Sequence, residues 1–250
     1  MRSRRSKDSP TPLARRGDPG TGEALSHVLD RPAWNALRSA HAALSEGGAL
    51  ARRYPPSIVP FAAASDGAAD SLEALGNLPA GEEVMALVEA GPIAIPSGLT
   101  VVVADTLVQM VAERPYQRIV DSRIGPLAEA DAAEMLALAT LTNPGPFTLR
   151  AQALGAFWGV KVDGRLVAMA GQRMRVPGFA ELSGLCTHPA FRGRGLGRLL
   201  FRFVAGEISA RGETAFLHAF ATNTPAIALY EALGFRLRSE MNLRVVRRGG

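Results

Sequence analysis

The sequence has little that would suit a secreted or membrane protein. Cys186 is its single cysteine in 250 residues, which excludes a disulfide framework and a cysteine-based zinc site within one chain. No apolar run approaches the roughly 20 residues that a membrane-spanning helix needs, and the first arginines are not followed by the apolar segment of a secretory signal. We therefore expect a cytoplasmic protein with no membrane partner. Because Cys186 lies in an apolar strand pattern, we expect a buried structural thiol rather than a nucleophile.

Lysine is also scarce, and most of the net charge comes from arginines near the N-terminus. Residues 1–18 carry six basic side chains against Asp8 and Asp18, a net charge of +4 out of +5 for the whole chain. Residues 1–25 are rich in Arg, Ser, Pro and Gly, a composition that predicts a disordered tail. No aromatic side chains alternate with these arginines, as the stacking of nucleic-acid bases would require. We therefore favour a solvated tail over one that binds nucleic acid.

The rest of the chain divides by pattern into two sections. Residues 26–115 predict a small α/β subdomain without a motif that carries chemistry, in which Asp30 caps a helix over 32–44. It continues with a helix over 64–77 and strands over 83–89 and 99–104. Residues 116–250 predict the element order β-α-β-β-β-α-β-α-β, with Asp163-Gly164 as a hairpin turn. The strands of this second section fall at 117–123, 156–162, 165–175, 180–187, 214–220 and 235–246, and two of its helices at 127–141 and 225–233.

A glycine-rich arginine loop joins the strand at 180–187 to an amphipathic helix. It reads Arg-Gly-Arg-Gly-Leu-Gly over residues 192–197. Backbone N–H groups converge at such a helix N-terminus, and the helix dipole favours negative charge, so the loop predicts a phosphate site. It lacks the Gly-Lys-Ser/Thr ending of a P-loop and departs from the G-x-G-x-x-G spacing of dinucleotide sites. On the loop alone, a tight turn without a ligand remains the alternative.

A second motif gives the loop a context. Residues 223–235 read Asn-Thr-Pro-Ala-Ile-Ala-Leu-Tyr-Glu-Ala-Leu-Gly-Phe. An R-x-x-G-x-G loop followed 25–30 residues later by N-x-x-A-x-x-L-Y-E-x-L-G-F resembles the GNAT family of acyl-CoA N-acyltransferases over residues 117–246. The stretch Leu-Cys-Thr-His-Pro before the loop is similar to a glycine-acyltransferase-like subgroup. The resemblance implies the GNAT fold, a mixed and mostly antiparallel twisted sheet flanked by helices, with residues 26–115 as a smaller α/β subdomain.

The resemblance also implies roles for particular residues. Acetyl-CoA would be the co-substrate, and its pantetheine arm would pair with the strand residues Leu185, Cys186 and Thr187 and with Asn223. One strand N–H would polarise the thioester carbonyl. The pyrophosphate would bind the loop, and Tyr230 would protonate the departing thiolate, for which a phenol is a suitable donor. The loop residues implied in cofactor binding are Arg192, Gly193, Arg194, Gly195, Leu196, Gly197 and Arg198.

The group that accepts the proton of the amine is less well defined. Glu181 begins the strand that leads into the loop, where the family often places a carboxylate, and His218 lies on the next strand, where some relatives carry a catalytic glutamate. An imidazole could accept the proton, but a core histidine and a surface carboxylate remain the alternatives. His188, just before Pro189, is predicted to be structural. No spacing of His, Asp and Glu suggests a metal site.

Two functions therefore remain. The first is an enzyme that transfers an acetyl or short acyl group from acetyl-CoA to a small-molecule or peptide amine by direct attack, without a covalent enzyme intermediate. The second is a non-catalytic acyl-CoA sensor or scaffold, against which the presence of both Tyr230 and Glu181 argues. The acceptor and a homodimer are left open.

Overall fold

The computed structural model describes residues 27–249, so the predicted tail at 1–25 lies outside the described residues. Within this range the α-helices are α1 (Pro32–Leu37), α2 (Ala69–Gly76), α3 (Ala132–Thr142), α4 (Leu196–Ser209) and α5 (Thr224–Ala232). The strands are β1 (Glu46–Gly47), β2 (Ala51–Arg53), β3 (Ala62–Ala64), β4 (Val84–Glu89), β5 (Leu99–Ala112), β6 (Ile124–Leu127), β7 (Phe157–Val162), β8 (Arg165–Val176), β9 (Phe179–Thr187), β10 (Thr214–Phe220) and β11 (Phe235–Arg248). None of these helices is long and apolar enough to cross a membrane.

Eight strands form one mixed sheet in the order β4-β11-β5-β10-β9-β8-β7-β6, and β1, β2 and β3 form a small second sheet. All neighbours in the large sheet are antiparallel except β9 and β10, which are parallel. The predicted mixed, mostly antiparallel sheet is thus confirmed. Strands β4 and β5 both come from the first section of the chain, so the boundary predicted at residue 115 falls within a sheet to which both sections contribute.

The sheet is covered on both faces. Helix α4 packs its apolar side chains, including Leu200, Phe201 and Val204, on what we call the helix face. On the opposite side, which we call the front face, residues 28–63 cover Phe216 and Met241 with a second apolar core. Both cores contain fully buried side chains, Phe201 on the helix face and Phe216 on the front face, so the strands between them are packed on both sides.

Several local predictions were wrong. The helices predicted over 32–44 and 64–77 span only Pro32–Leu37 and Ala69–Gly76. Residues 117–123 form no strand; their backbone packs on α4, where a Cβ at Gly206 would lie 2.7 Å from the carbonyl oxygen of Gln117. Asp30 does not cap α1, because Arg31 precedes that helix; the Asp30 carboxylate instead accepts hydrogen bonds from the His27 N–H and from Arg238. Strand β5 continues eight residues beyond its predicted end at residue 104.

Candidate active site

The parallel pairing of β9 and β10 is short. It joins only three residue pairs, Thr214 with Phe179, Ala215 with Ala180 and Phe216 with Glu181. Beyond these pairs, β9 stays bonded to β8 and β10 to β5, but the two strands no longer bond to each other. The unpaired halves, residues 182–187 and 217–220, therefore border an open cleft whose apex lies at Glu181.

A bulge distorts β9 beside this cleft. Between the pairs Gly171–Ser183 and Met169–Cys186, β9 advances three residues while β8 advances two. Such an extra residue interrupts the ladder and re-aims backbone groups. Gly184 adopts a positive φ of 63° there, and a Cβ on it would lie 2.8 Å from the Phe157 ring. Only glycine fits this position, and the bulge leaves backbone groups of residues 184–185 available to a ligand in the cleft.

The glycine-rich loop lies at the open end of the cleft. Gly193 and Gly195 both have a φ of 75°, and a Cβ on either would meet nothing within 4 Å. Gly195 is the N-cap of α4, and no side chain caps the helix. The first N–H groups of α4, from Leu196 onward, therefore have no intrahelical partner and can donate to an anion.

The three arginines of the loop are exposed and close to these N–H groups. Arg192 Nε donates to the Thr187 carbonyl over 3.4 Å, and the Arg194 guanidinium lies 4.8 Å from the centre of the Phe191 ring. Across the described part of the chain, no carboxylate forms an ion pair with Arg192, Arg194 or Arg198. Their positive charge adds to that of the helix dipole, as a pyrophosphate site requires.

Helix α5 brings Asn223 and Tyr230 next to the same region. Asn223 is its N-cap, and its side-chain oxygen accepts a hydrogen bond from the N–H of Ala226 over 3.3 Å, which leaves the amide NH₂ available. The Tyr230 ring stacks on Phe201 of α4, with centroids 5.5 Å apart and planes 19° from parallel. Partial burial raises the pKa of Tyr230 above its ordinary value. The phenol is therefore protonated at neutral pH and has a proton to donate.

Glu181 and His218 lie together at the apex of the cleft on the front face. His218 Nδ1 is 2.7 Å from Glu181 Oε1, and Arg173 donates two hydrogen bonds to the same carboxylate over 2.6 and 2.9 Å. Burial alone would raise the pKa of Glu181, but the Arg173 guanidinium lowers it below the ordinary range. The side chains of Glu181 and His218 are only 0% and 3% exposed. The geometry therefore disfavours Glu181 as a base: it is a poor proton acceptor, and neither side chain has free access to solvent.

Two further residues that the sequence singled out are Cys186 and His188. Cys186 is buried, and burial raises the pKa of its thiol to about 11, so the predicted burial of this side chain is confirmed. His188 accepts a hydrogen bond from the N–H of Ala190 through its own side chain, a local structural role. Sequence reasoning missed Arg173; its place on the predicted strand before β9 was a partial signal, but its contact with Glu181 depends on the register of the β8–β9 hairpin.

Comparisons with known proteins agree with this geometry. A family model described as FR47-like protein matches residues 158–245, which include both the loop and the Asn223–Phe235 motif. The [ribosomal protein bS18]-alanine N-acetyltransferase of Salmonella typhimurium (strain LT2) is 46% identical over 57 residues, 22% of this chain and 38% of that protein. The N-alpha-acetyltransferase RimI of Mycobacterium tuberculosis is 38% identical over 81 residues, 31% of this chain and 50% of that protein. The matches thus span half or less of these curated relatives.

A solved structure gives a match over the whole fold. A crystal structure from Novosphingobium aromaticivorans DSM 12444, assigned to the GNAT family of acetyltransferases, is 43% identical and has a TM-score of 0.84. The match covers 90% of this chain and 100% of that one. The similarity therefore includes part of the first section, residues 26–115, which contains neither of the two motifs. With the cleft between two diverging parallel strands and the glycine-rich loop at its end, this match shows that the chain belongs to the GNAT family.

Proposed function

We propose that the protein transfers an acetyl or short acyl group from acetyl-CoA to a primary amine by direct attack. The observation that carries this proposal is the cleft between β9 and β10, which ends at a helix N-terminus without a side-chain cap and with three exposed arginines. A pantetheine arm needs an extended backbone partner, and a pyrophosphate needs N–H donors with positive charge. The cleft provides the extended backbone, and the loop provides the N–H donors and the positive charge. The two lie in the same order as the pantetheine arm and the pyrophosphate along CoA.

Each part of the site has a role in this proposal. The backbones of Leu185, Cys186 and Thr187 bind the pantetheine arm together with the Asn223 amide, and a bulge N–H polarises the thioester carbonyl. The N–H groups of residues 193–198 bind the pyrophosphate, and the side chains of Arg192, Arg194 and Arg198 add charge-assisted contacts. Leu196 contributes only its backbone, because its side chain is buried under the helix face.

Tyr230 is the proposed proton donor. As the amine nitrogen bonds to the acyl carbon, the carbon–sulfur bond breaks, and the CoA thiolate takes the phenolic proton. The proton that the amine loses passes to water, and water returns a proton to Tyr230. Glu181 and His218 serve as a positioning pair at the apex of the cleft, since both side chains are buried and Arg173 already bonds the Glu181 carboxylate.

The acceptor is proposed only as a class, a small-molecule or peptide amine. The curated relatives are named for alanine and N-alpha acetylation, but their matches cover 57 and 81 residues. A cytoplasmic location, a glycine-acyltransferase-like subgroup and a homodimer stay predictions.

The test measures CoA thiol release from acetyl-CoA by the full chain. The acceptor panel contains amino acids, polyamines, aminoglycosides and peptides with free N-termini, and calorimetry measures CoA binding in parallel. Amine-dependent thiol release is expected with at least one class. CoA binding without release across the panel would contradict the proposed enzyme and favour the acyl-CoA sensor, whereas failure to bind CoA would contradict both.

A further inference from the structure

A chain of hydrogen bonds crosses five neighbouring strands on the front face and passes through the apex of the cleft. His218 lies between Glu181 and Gln109, with Nε2 3.0 Å from the Gln109 amide nitrogen. One residue comes from each strand, and the order follows the sheet: Arg238 (β11), Gln109 (β5), His218 (β10), Glu181 (β9) and Arg173 (β8). The motifs of the family resemblance include neither Gln109 nor Arg238.

The amide of Gln109 can adopt only one orientation. Arg238 Nη1 lies 2.8 Å from Oε1, and the Leu29 carbonyl oxygen lies 3.0 Å from Nε2. A guanidinium can only donate and a carbonyl can only accept. Both neighbours therefore require the oxygen to face Arg238 and the NH₂ group to face Leu29 and His218, and Gln109 is 0% exposed, so no water competes.

This orientation determines which ring nitrogen of His218 carries the proton. Nε2 faces an N–H of Gln109, so it must accept and be unprotonated. The proton is then on Nδ1, which donates to Glu181. A doubly protonated ring would place N–H against N–H at Gln109, although the Glu181 carboxylate on the other side would favour it.

A second bulge places Arg238 where it can donate to the Gln109 oxygen. Leu237 pairs with Met110 and Ser239 with Gln109, so Arg238 is the extra residue of β11. Bulges re-aim a side chain next to functional sites. Besides Gln109, the Arg238 guanidinium donates to the carboxylate of Asp30. This second hydrogen bond also holds the guanidinium in place.

We propose that Gln109 is a positioning residue, which Arg238 and the Leu29 carbonyl orient so that it keeps His218 neutral and protonated on Nδ1. The significance of this state for catalysis rests on the proposed acetyl transfer. With a neutral His218, Arg173 alone balances the negative charge of Glu181, and His218 does not hold the proton that the amine loses. The protonation state itself does not depend on that function.

The test is ¹⁵N NMR of the full chain labelled at histidine, at pH 7, because ring nitrogen shifts distinguish the two neutral tautomers from the imidazolium. His218→Gln assigns the His218 signals. We expect the neutral Nδ1–H form in the wild type. In Gln109→Glu, an anionic acceptor replaces the donor beside Nε2, so we expect the imidazolium. The matched control is Gln172→Glu, which changes another buried glutamine; Gln172 lies in β8, and its side-chain oxygen accepts from Arg211. This control should leave the His218 signals unchanged.

An imidazolium or an Nε2–H ring in the wild type would overturn the proposal, as would unchanged His218 signals in Gln109→Glu. If Gln109→Glu does not fold, Gln109→Met removes the donor beside Nε2, together with the oxygen that accepts from Arg238. The unprotonated Nε2 signal should then move to the position of a free lone pair; an unmoved signal would contradict the inference. Failure of the proposed function would instead show as absent thiol release in a wild type whose His218 spectrum is as expected.

Discussion

Tyr230 is the residue whose proposed role a single substitution can isolate. Its ring packs on Phe201 and its pKa is raised by burial, so Tyr230→Phe removes the proton donor while the stacked ring stays. A positioned general acid contributes roughly 100-fold or more. We expect kcat in the thiol-release assay to fall by about that factor, with the Kd for acetyl-CoA unchanged.

Tyr116→Phe is the matched control for this substitution. The Tyr116 hydroxyl donates to the Leu233 carbonyl at the end of α5, and its ring also contacts Phe201. Its loss should cost about 1 kcal/mol of stability and leave kcat within a factor of about two. Equal rates for wild type and Tyr230→Phe would remove Tyr230 as the acid.

His41 makes stability depend on pH. Burial, and to a lesser extent the positive charge of Arg175, lower the pKa of His41 to about 4, and Nδ1 bonds the Tyr54 hydroxyl over 2.8 Å. The unfolded chain, with a histidine pKa near 6.5, then binds the proton first as pH falls. We expect the unfolding free energy to decrease by up to about 3 kcal/mol between pH 6.5 and 4.

The check is urea denaturation of wild type and His41→Gln at several pH values. Because other groups titrate in both proteins, the informative quantity is the difference between their unfolding free energies. That difference should shrink as the pH falls through this window. A difference independent of pH would show that His41 has the same pKa in the folded and the unfolded chain.

At this scale the sequence locates side chains on strands but not their partners. It placed Glu181 and His218 on neighbouring strands, and they do meet. It did not show that Arg173, eight residues away, would neutralise Glu181, because that contact requires the β8–β9 hairpin register. Nor could it show that Gln109 would reach His218, since 109 residues separate them.

Helix α4 can be tested at both ends with the same substitution. Gly195 precedes its first turn and Gly212 follows its last, both with a φ of 75° and both with nothing within 4 Å of a Cβ. Alanine should cost about 1–2 kcal/mol at either site through the left-handed backbone. In Gly195→Ala alone, we also expect CoA affinity to fall roughly tenfold, the equivalent of one charge-assisted hydrogen bond.

Calorimetric titration with CoA, together with thermal unfolding, separates these two effects. Gly212→Ala introduces the same backbone strain at the end of α4 away from the loop, so its Kd for CoA should equal that of the wild type. Similar losses of affinity in both variants would mean that the loop binds CoA only through general helix stability, against a direct pyrophosphate contact.

Strands and helices could be predicted from the sequence wherever the buried residues recur with the period of a single element type. The hairpin β7–β8, β10 and α5 fall within a few residues of their predicted limits. The prediction ended β5 at residue 104 because Asp105 and Thr106 interrupt the apolar pattern, although residues 107–111 continue it on both buried faces. The pattern over 117–123 was wrongly predicted as a strand. Its backbone packs against Gly206 of α4, which has no side chain to prevent the close approach, and no feature of the local sequence indicates this tertiary contact.

For the whole molecule, the cleft predicts where CoA should protect the backbone. Residues 182–187 and 193–198 lie along the cleft and the loop, so their ligand-facing amides should exchange hydrogen more slowly when CoA is bound. Amides of the β1–β2 hairpin, in the separate small sheet, provide the reference. Hydrogen exchange followed by mass spectrometry measures both; equal slowing everywhere would indicate general stabilisation instead of binding in the cleft.

The three-pair contact between β9 and β10 has a consequence for the supply of ligand. The two strands join β8, β7 and β6 to β5, β11 and β4, so a molecule that fills the cleft also ties the two parts of the sheet together. Mass action then makes apparent stability a function of CoA concentration, about 2.7 kcal/mol at 100 times the Kd. A variant that folds marginally when purified alone would be sustained in a cell rich in CoA and lost from one in which CoA is depleted.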